Sequence, residues 1–384
     1  MATVKNTHIP EDEVMDILTR LPGKSLMRFK SVCKPWCGLF RNSDFISKHH
    51  LKQTHLSNSN FSVLVKHGAQ KEDCFSFLYS SSVRDGGEEV LTLKESVYMP
   101  FTKDFQHNPV VLGPCNGLLC VYDHCEKIGL WNPAIREFKP LPLSPIERPS
   151  GTELTSFGNL GFGFDRKAND YKILRFVTNY FDEGMSSVDQ VEIYSLKTDS
   201  WREISSVDVI PGGIPWFNQY NNGVYYWWAD GDDGGLILSF DFADEVFDKV
   251  PLPDFGVSWV DYLPQLAIYN GLLAVIVYTR EGPERLVDKW VMIERGVKES
   301  WVKQASIGPV PGVERPLGFL KNGGLFLEDL EGQLVLYDPS SQQLKNLQPR
   351  GGKDSLQVVN YVESLVPING RHEDEDEPFV RIRF

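Results

Sequence analysis

The spacing of apolar positions changes near residue 60. Upstream, Val14, Ile17, Leu18 and Leu21 recur three and four residues apart, the period of one helix face. Pro10 and the acids Glu11, Asp12 and Glu13 suit a helix first turn, where the backbone dipole favours negative charge, and Pro22 ends the pattern. Ser25 is placed to cap a second helical turn carrying Leu26, Met27 and Phe29, and Ser31 to open a third with Val32, Cys33, Trp36, Leu39 and Phe40. Helices shorter than about 12 residues are marginal in water, and a unit of about 40 residues buries too little area to stand unaided. The spacing thus predicts a small all-α module of three short helices whose apolar surplus points outward, toward another polypeptide.

Downstream the chain alternates in short apolar runs rich in Val, Leu, Phe, Tyr and Trp, broken by Asn-Gly and Gly-Gly turns, which predicts an all-β body. One unit recurs: a turn, an apolar strand, a second strand ending in an aromatic, a tight polar turn, then an aromatic or Leu opening a third strand. Five copies centre on Trp131, Tyr194, Phe240, Met292 and Tyr337, at intervals of 63, 46, 52 and 45 residues. Units of that length with several strands each are the blades of a β-propeller, whose faces bury only against neighbours. Residues 61–68, 74–81 and 90–96 supply strands for another blade, and 356–368 a strand that fastens the last blade to the first. Six blades are expected, with five or seven the neighbouring counts.

The chain of 384 residues exceeds one ordinary core and divides into a helical module over 4–50, the β body over 57–368 and an acidic tail over 369–384 that reads as disordered. The first 56 residues carry nine Lys and Arg against five Asp and Glu; of the net −13, the remainder therefore holds −17. So acidic a body disfavours nucleic acid and anionic membranes and favours a basic partner. No window approaches about 18 consecutive apolar residues, the span a bilayer demands. The six cysteines lie between Cys33 and Cys125 and suit free thiols in a reducing compartment, so the expected location is the cytoplasm, with the nucleus also open.

Candidate chemistry is sparse. From residue 126 to 371 there is neither His nor Cys, which removes the usual bases, thiol nucleophiles and metal ligands from most of the body; no catalytic role, cofactor or metal is expected. The run Asp230-Gly231-Asp232-Asp233-Gly234-Gly235 lacks the oxygen spacing of a calcium loop and reads as a hairpin turn. Asp165, Asp170 and Asp241 sit where carboxylates cap turns. Gly161-Phe162-Gly163-Phe164-Asp165 is a strand in close packing, not a phosphate loop. His49 and His50 read as surface residues, and Trp131, Trp201 and Trp301 as core at equivalent blade positions. Three inter-strand segments, 179–187, 211–220 and 254–262, carry aromatics suited to a protein partner: Tyr180, Phe181, Trp216, Phe217, Trp259 and Tyr262.

Ile9-Pro10, Ile17-Leu18, Arg20-Leu21-Pro22, Lys24-Ser25-Leu26, Arg28-Phe29, Val32-Cys33-Lys34 and Trp36 together resemble a plant F-box over residues 8–48. From 110 to 366, GLLCVYD, LWNPAIREFKPLP, LGFGFD, NDYKILR, VEIYSLKTDSWREI, ILSFD and YVESLVPI resemble the F-box-associated domain, a relative of kelch propellers, most like its S-locus F-box-like group. The resemblance implies a non-catalytic substrate-recognition subunit of a Skp/cullin/F-box ubiquitin ligase. Pro10, Ile17, Leu18, Leu21, Pro22, Leu26, Val32, Cys33 and Trp36 would contact the Skp-type adaptor, and through it the cullin. The propeller would present a protein for ubiquitination, in the S-locus group a basic pistil ribonuclease. The rival readings are a free-standing kelch-type propeller for a sugar or small ligand, an oxidoreductase of that type, and a scaffold with no ligase link.

Overall fold

The computed structural model describes residues 10–56, 62–69, 72–82, 89–98, 109–123, 125–184, 186–212, 217–231, 234–256, 261–282, 284–320 and 323–369. The helical module comprises α1 (Glu11–Thr19), α2 (Gly23–Phe29), α3 (Lys34–Leu39) and α4 (Ser43–Leu56). Pro10 and Pro22, at the entries to α1 and α2, hold extended backbone that turns into each helix. Two sequence expectations shift. Ser25 lies inside α2, and α3 starts after Cys33 with Pro35 in its first turn, so Ser31 and Val32 precede it; Ser31 Oγ instead donates to the Arg28 carbonyl at 2.8 Å. The fourth helix was not anticipated. Its start is nevertheless written in the chain, since the Asn42 side-chain oxygen accepts from the amides of Asp44 and Phe45.

Six four-stranded antiparallel sheets form the propeller. Blade 1 takes its inner strand, Gln357–Tyr361, from the far end of the chain; it pairs with Ser62–Ala69, so the two ends of the propeller close the ring as expected. Blades 2 to 6 follow in chain order. All five anchor residues fall on the third strand of their blades, and in four of them one turn design repeats. Trp131, Tyr194, Phe240 and Tyr337 pair across the turn with Phe138, Trp201, Phe247 and Leu344, seven positions on. The polar residue after each anchor, Asn132, Ser195, Asp241 or Asp338, accepts an amide of the turn. Arg136, Asp199, Glu245 and Gln342, all five positions after the anchor, take φ between 50° and 59°, the left-handed step that lets the next strand start back. This is the physical content of the repeat.

Seams between blades are apolar. Trp131, Trp201 and Trp301 are buried as expected, though Trp131 lies on a third strand and the other two on fourth strands. The latter are true equivalents: each indole N–H donates to the carbonyl of a proline following the preceding blade's last strand, Pro142 at 2.8 Å and Pro251 at 2.9 Å. Gly161 and Gly163 lie under aromatic rings, and a Cβ built on either would stand 2.3 Å from Trp227 or Phe242. Blade 3 buries a paired charge cluster: Arg175 and Glu192 meet at 2.5 Å while 1% and 0% exposed, and Arg148 also reaches Glu192. Asp165, Asp170 and Asp241 each accept turn amides, the capping role read from the sequence.

Candidate functional site

Strand direction divides the propeller into two ends. Loops joining strands one to two and three to four lie at one end; loops joining two to three, and blade to blade, lie at the other. Blade 1's inner strand leaves, and its second strand enters, at the first end, which is where the helical module docks. The described parts of the three segments singled out for a partner, 179–187, 211–220 and 254–262, belong to the second end. The two binding regions expected from the sequence are thereby separated by the depth of the ring.

The module is held by the segment after the last strand. Leu365, 2% exposed, enters a core made by Leu18, Leu26, Phe40, Phe45 and Ile46, with Ile135 and Val366 packed alongside. A Glu363 carboxylate oxygen accepts the Gly23 amide at 2.6 Å, and the His50 ring nitrogen donates to the Glu363 carbonyl at 3.1 Å. Asn132, fully buried, donates to the carbonyls of Ser364 and Val366 at 3.1 and 2.8 Å and so pins this strap to blade 2. Lys24 and Arg136 converge on Glu95 of blade 1, both at 2.9 Å; the Lys24 ammonium, with Arg136 beside it, holds the Glu95 carboxyl below its usual range. His49 is buried, not at the surface as expected: its ring donates to the Leu21 carbonyl at 2.9 Å. Burial pushes the pKa of both His49 and His50 below the ordinary imidazole value.

The nine residues assigned to the adaptor therefore divide. Pro10, Pro22, Ile17 at 53% and Val32 at 62% are exposed; Leu21, Cys33 and Trp36 are half-buried. Leu18 and Leu26 are corrections: they are 2% and 0% exposed because the strap and α4 enclose them, so they support the surface and do not form it. The outward apolar surplus is real but smaller than the sequence implied, since part of it is satisfied inside the chain. Leu51 on α4, 60% exposed, adds to it and was missed with its helix.

Among the substrate candidates, Tyr180 and Phe181 are half-buried at the far end of blade 3, and not in a loop: strands Asp170–Phe181 and Ser186–Ser195 extend up to the turn. Phe217 is a correction, 7% exposed and packed with Ala267, Ala274 and Ile276, because the Asn218 carbonyl accepts the Ile268 amide and draws the segment inward. Tyr262 opens blade 5 half-buried in a seam. Trp216, Trp259 and the tail over 369–384, apart from its first residue, lie outside the described residues, as do Asp232 and Asp233; their flanking residues pair as the hairpin expected there. Among the described residues no cluster of His, Cys, Asp and Glu is arranged for a metal, and none of the six cysteines is in a disulfide.

A helical module carrying exposed apolar side chains is thus docked on one end of a six-bladed propeller. The chain belongs to the F-box-associated beta propeller domain family, whose model matches residues 75–368, and the F-box domain model matches residues 7–48. Arabidopsis thaliana F-box protein CPR1 is 28% identical over 383 residues, spanning 93% of this chain and 88% of that protein. The F-box/kelch-repeat protein At3g23880 of the same plant is 28% identical over 350 residues, 87% of this chain and 88% of that one. Membership in this plant F-box group supports substrate recognition within a Skp/cullin/F-box ligase, a role in which the chain itself is not the catalyst.

Proposed function

We propose that this protein is the receptor subunit that brings a protein substrate to a Skp/cullin/F-box ubiquitin ligase. The F-box takes the Skp-type adaptor on Pro10, Ile17, Pro22 and Val32, and the far end of the propeller takes the substrate. The observation that carries this reading is the fusion of the two modules: the strap from Ser364 to Val366 is hydrogen-bonded to blade 2 while Leu365 fills the helical core. Such a joint fixes where a bound substrate stands relative to the ligase, and positioning is the contribution a non-catalytic subunit makes. The charge of −17 beyond residue 56 favours a basic substrate through long-range steering. A basic pistil ribonuclease is the specific candidate that the S-locus likeness offers, and cytoplasm or nucleus the setting.

The test is co-purification of the full chain with a Skp-type adaptor, comparing wild type with Ile17→Asp combined with Val32→Asp. Both side chains are exposed, so the variant should fold. Stoichiometric capture by wild type and none by the variant is expected; equal capture, or capture by neither, would reject the assignment.

A further inference from the structure

The far end carries an open strand edge. In blade 3 the third strand runs Ser186–Ser195, but the fourth, Ser200–Ile204, pairs only with Val191–Ser195. Ser186 to Gln190 are zipped to the second strand on one side, and among the described residues no backbone group hydrogen-bonds to their other side. An unpaired row of N–H and C=O groups is a template for another strand. Natural edges are usually blunted by Lys or Pro; this one offers Ser186, Ser187 and Val188, all exposed.

Apolar side chains flank it on both sheet sides. Leu154, 63% exposed, lies opposite Tyr180, which lies opposite Ser187; on the other side stand Val188, 48% exposed, and Phe181. An added strand would set alternate residues against these two surfaces. The surroundings are acidic: Glu147, Glu153, Asp182 and Glu203 are exposed and Asp189 is on the edge itself. The neighbouring cation, Arg148, is engaged by Glu192 and Gln190.

We infer that the Ser186–Gln190 edge of blade 3 binds an extended segment of a protein partner by strand addition, a segment with alternating apolar residues and Lys or Arg between them. This rests on the reading of the propeller as the substrate-binding body and names the place and the kind of segment bound. Main-chain hydrogen bonds supply affinity, Leu154, Tyr180, Phe181 and Val188 supply register, and the carboxylates select for basic residues.

The test uses the full chain in complex with the Skp-type adaptor, panned against a displayed library of random linear peptides. Enriched peptides should be basic with alternating apolar positions, should weaken with added salt and should protect from exchange those amides of Ser186 to Gln190 that face the open side. Affinity should fall about tenfold or more on Val188→Lys, which leaves the backbone alone and repels a basic segment. Ser187→Pro and Val188→Pro are made separately; neighbouring N–H groups alternate between the ladder and the open side, so the substitution that leaves melting unchanged should also block binding. No enrichment, binding undiminished on these variants, or a concentration-dependent dimer lost on Val188→Lys would each overturn the inference. With adaptor capture intact, any of these leaves the ligase reading standing, so the two failures are distinguishable.

Discussion

Replacing Leu365 by Ala probes the joint between the modules. The side chain is 2% exposed and shares one core with Leu18, Leu26, Phe40, Phe45 and Ile46, residues drawn from α1, α2, α4 and the turn before α4. Truncation removes about three methylene equivalents, roughly 2.4 kcal/mol of transfer free energy, and the cavity left behind raises the loss to about 3 kcal/mol. The loss should be local. Helices this short have little stability of their own, so native-state hydrogen exchange should show α1 to α4 opening more readily by about that amount, while blades 3 to 5 keep their protection. Saturating adaptor binds the closed module and should restore about 2.7 kcal/mol at a hundredfold excess over its Kd. A change below about 1 kcal/mol in the helices, or an equal loss in every blade, would refute the claim that the strap completes the helical core.

Other consequences are as direct. Gly161→Ala should cost about 2 kcal/mol, because the new Cβ meets a Trp227 ring that is itself tied to the Leu160 carbonyl at 3.0 Å; Gly38→Ala in α3, with nothing within 4 Å, should be neutral or stabilising, and comparable melting shifts for both would contradict the packing. Arg175→Met leaves the buried Glu192 with Arg148 alone and should cost about 3 kcal/mol in denaturant titration; a cost below about 1 kcal/mol would show the pair to be dispensable. Burial lowers the pKa of His49 and His50, so the unfolded chain protonates first: their contribution is full above about pH 6.5 and is lost as pH falls below it. Helical-module stability should therefore drop as pH falls below about 6.5, and drop less in His49→Gln/His50→Gln; an identical pH profile would remove these rings from the joint.

The propeller was legible because its signal repeats. Each anchor aromatic, capping polar residue and left-handed turn position recurs at fixed offsets, so misreading one copy is corrected by the next. Even blade 1, which lacks the motif, could be placed by its three alternating runs and the ring's need to close. The helical module was legible in its first three helices and not in the fourth, although Asn42 followed by Phe45, Ile46 and His49 is a capped amphipathic start. The site was harder. Leu18, Leu26 and Ile17 are alike in hydrophobicity, and α4 together with the strap, brought from more than three hundred residues away, decides which of them face outward. Phe217 failed for the same reason: a loop aromatic and a seam aromatic look alike until the backbone on either side is seen to pair.

The central claim is that adaptor and substrate are held at opposite ends of one rigid ring. Amide exchange of the full chain, measured with and without saturating Skp-type adaptor, tests it most directly. The account predicts new protection in the outer surface of the helical module, around Ile17, Pro22 and Val32, with Ser186 to Gln190 and Asp254 to Gly256 unchanged. Protection appearing at those far-end segments, or none in the helices, would contradict it.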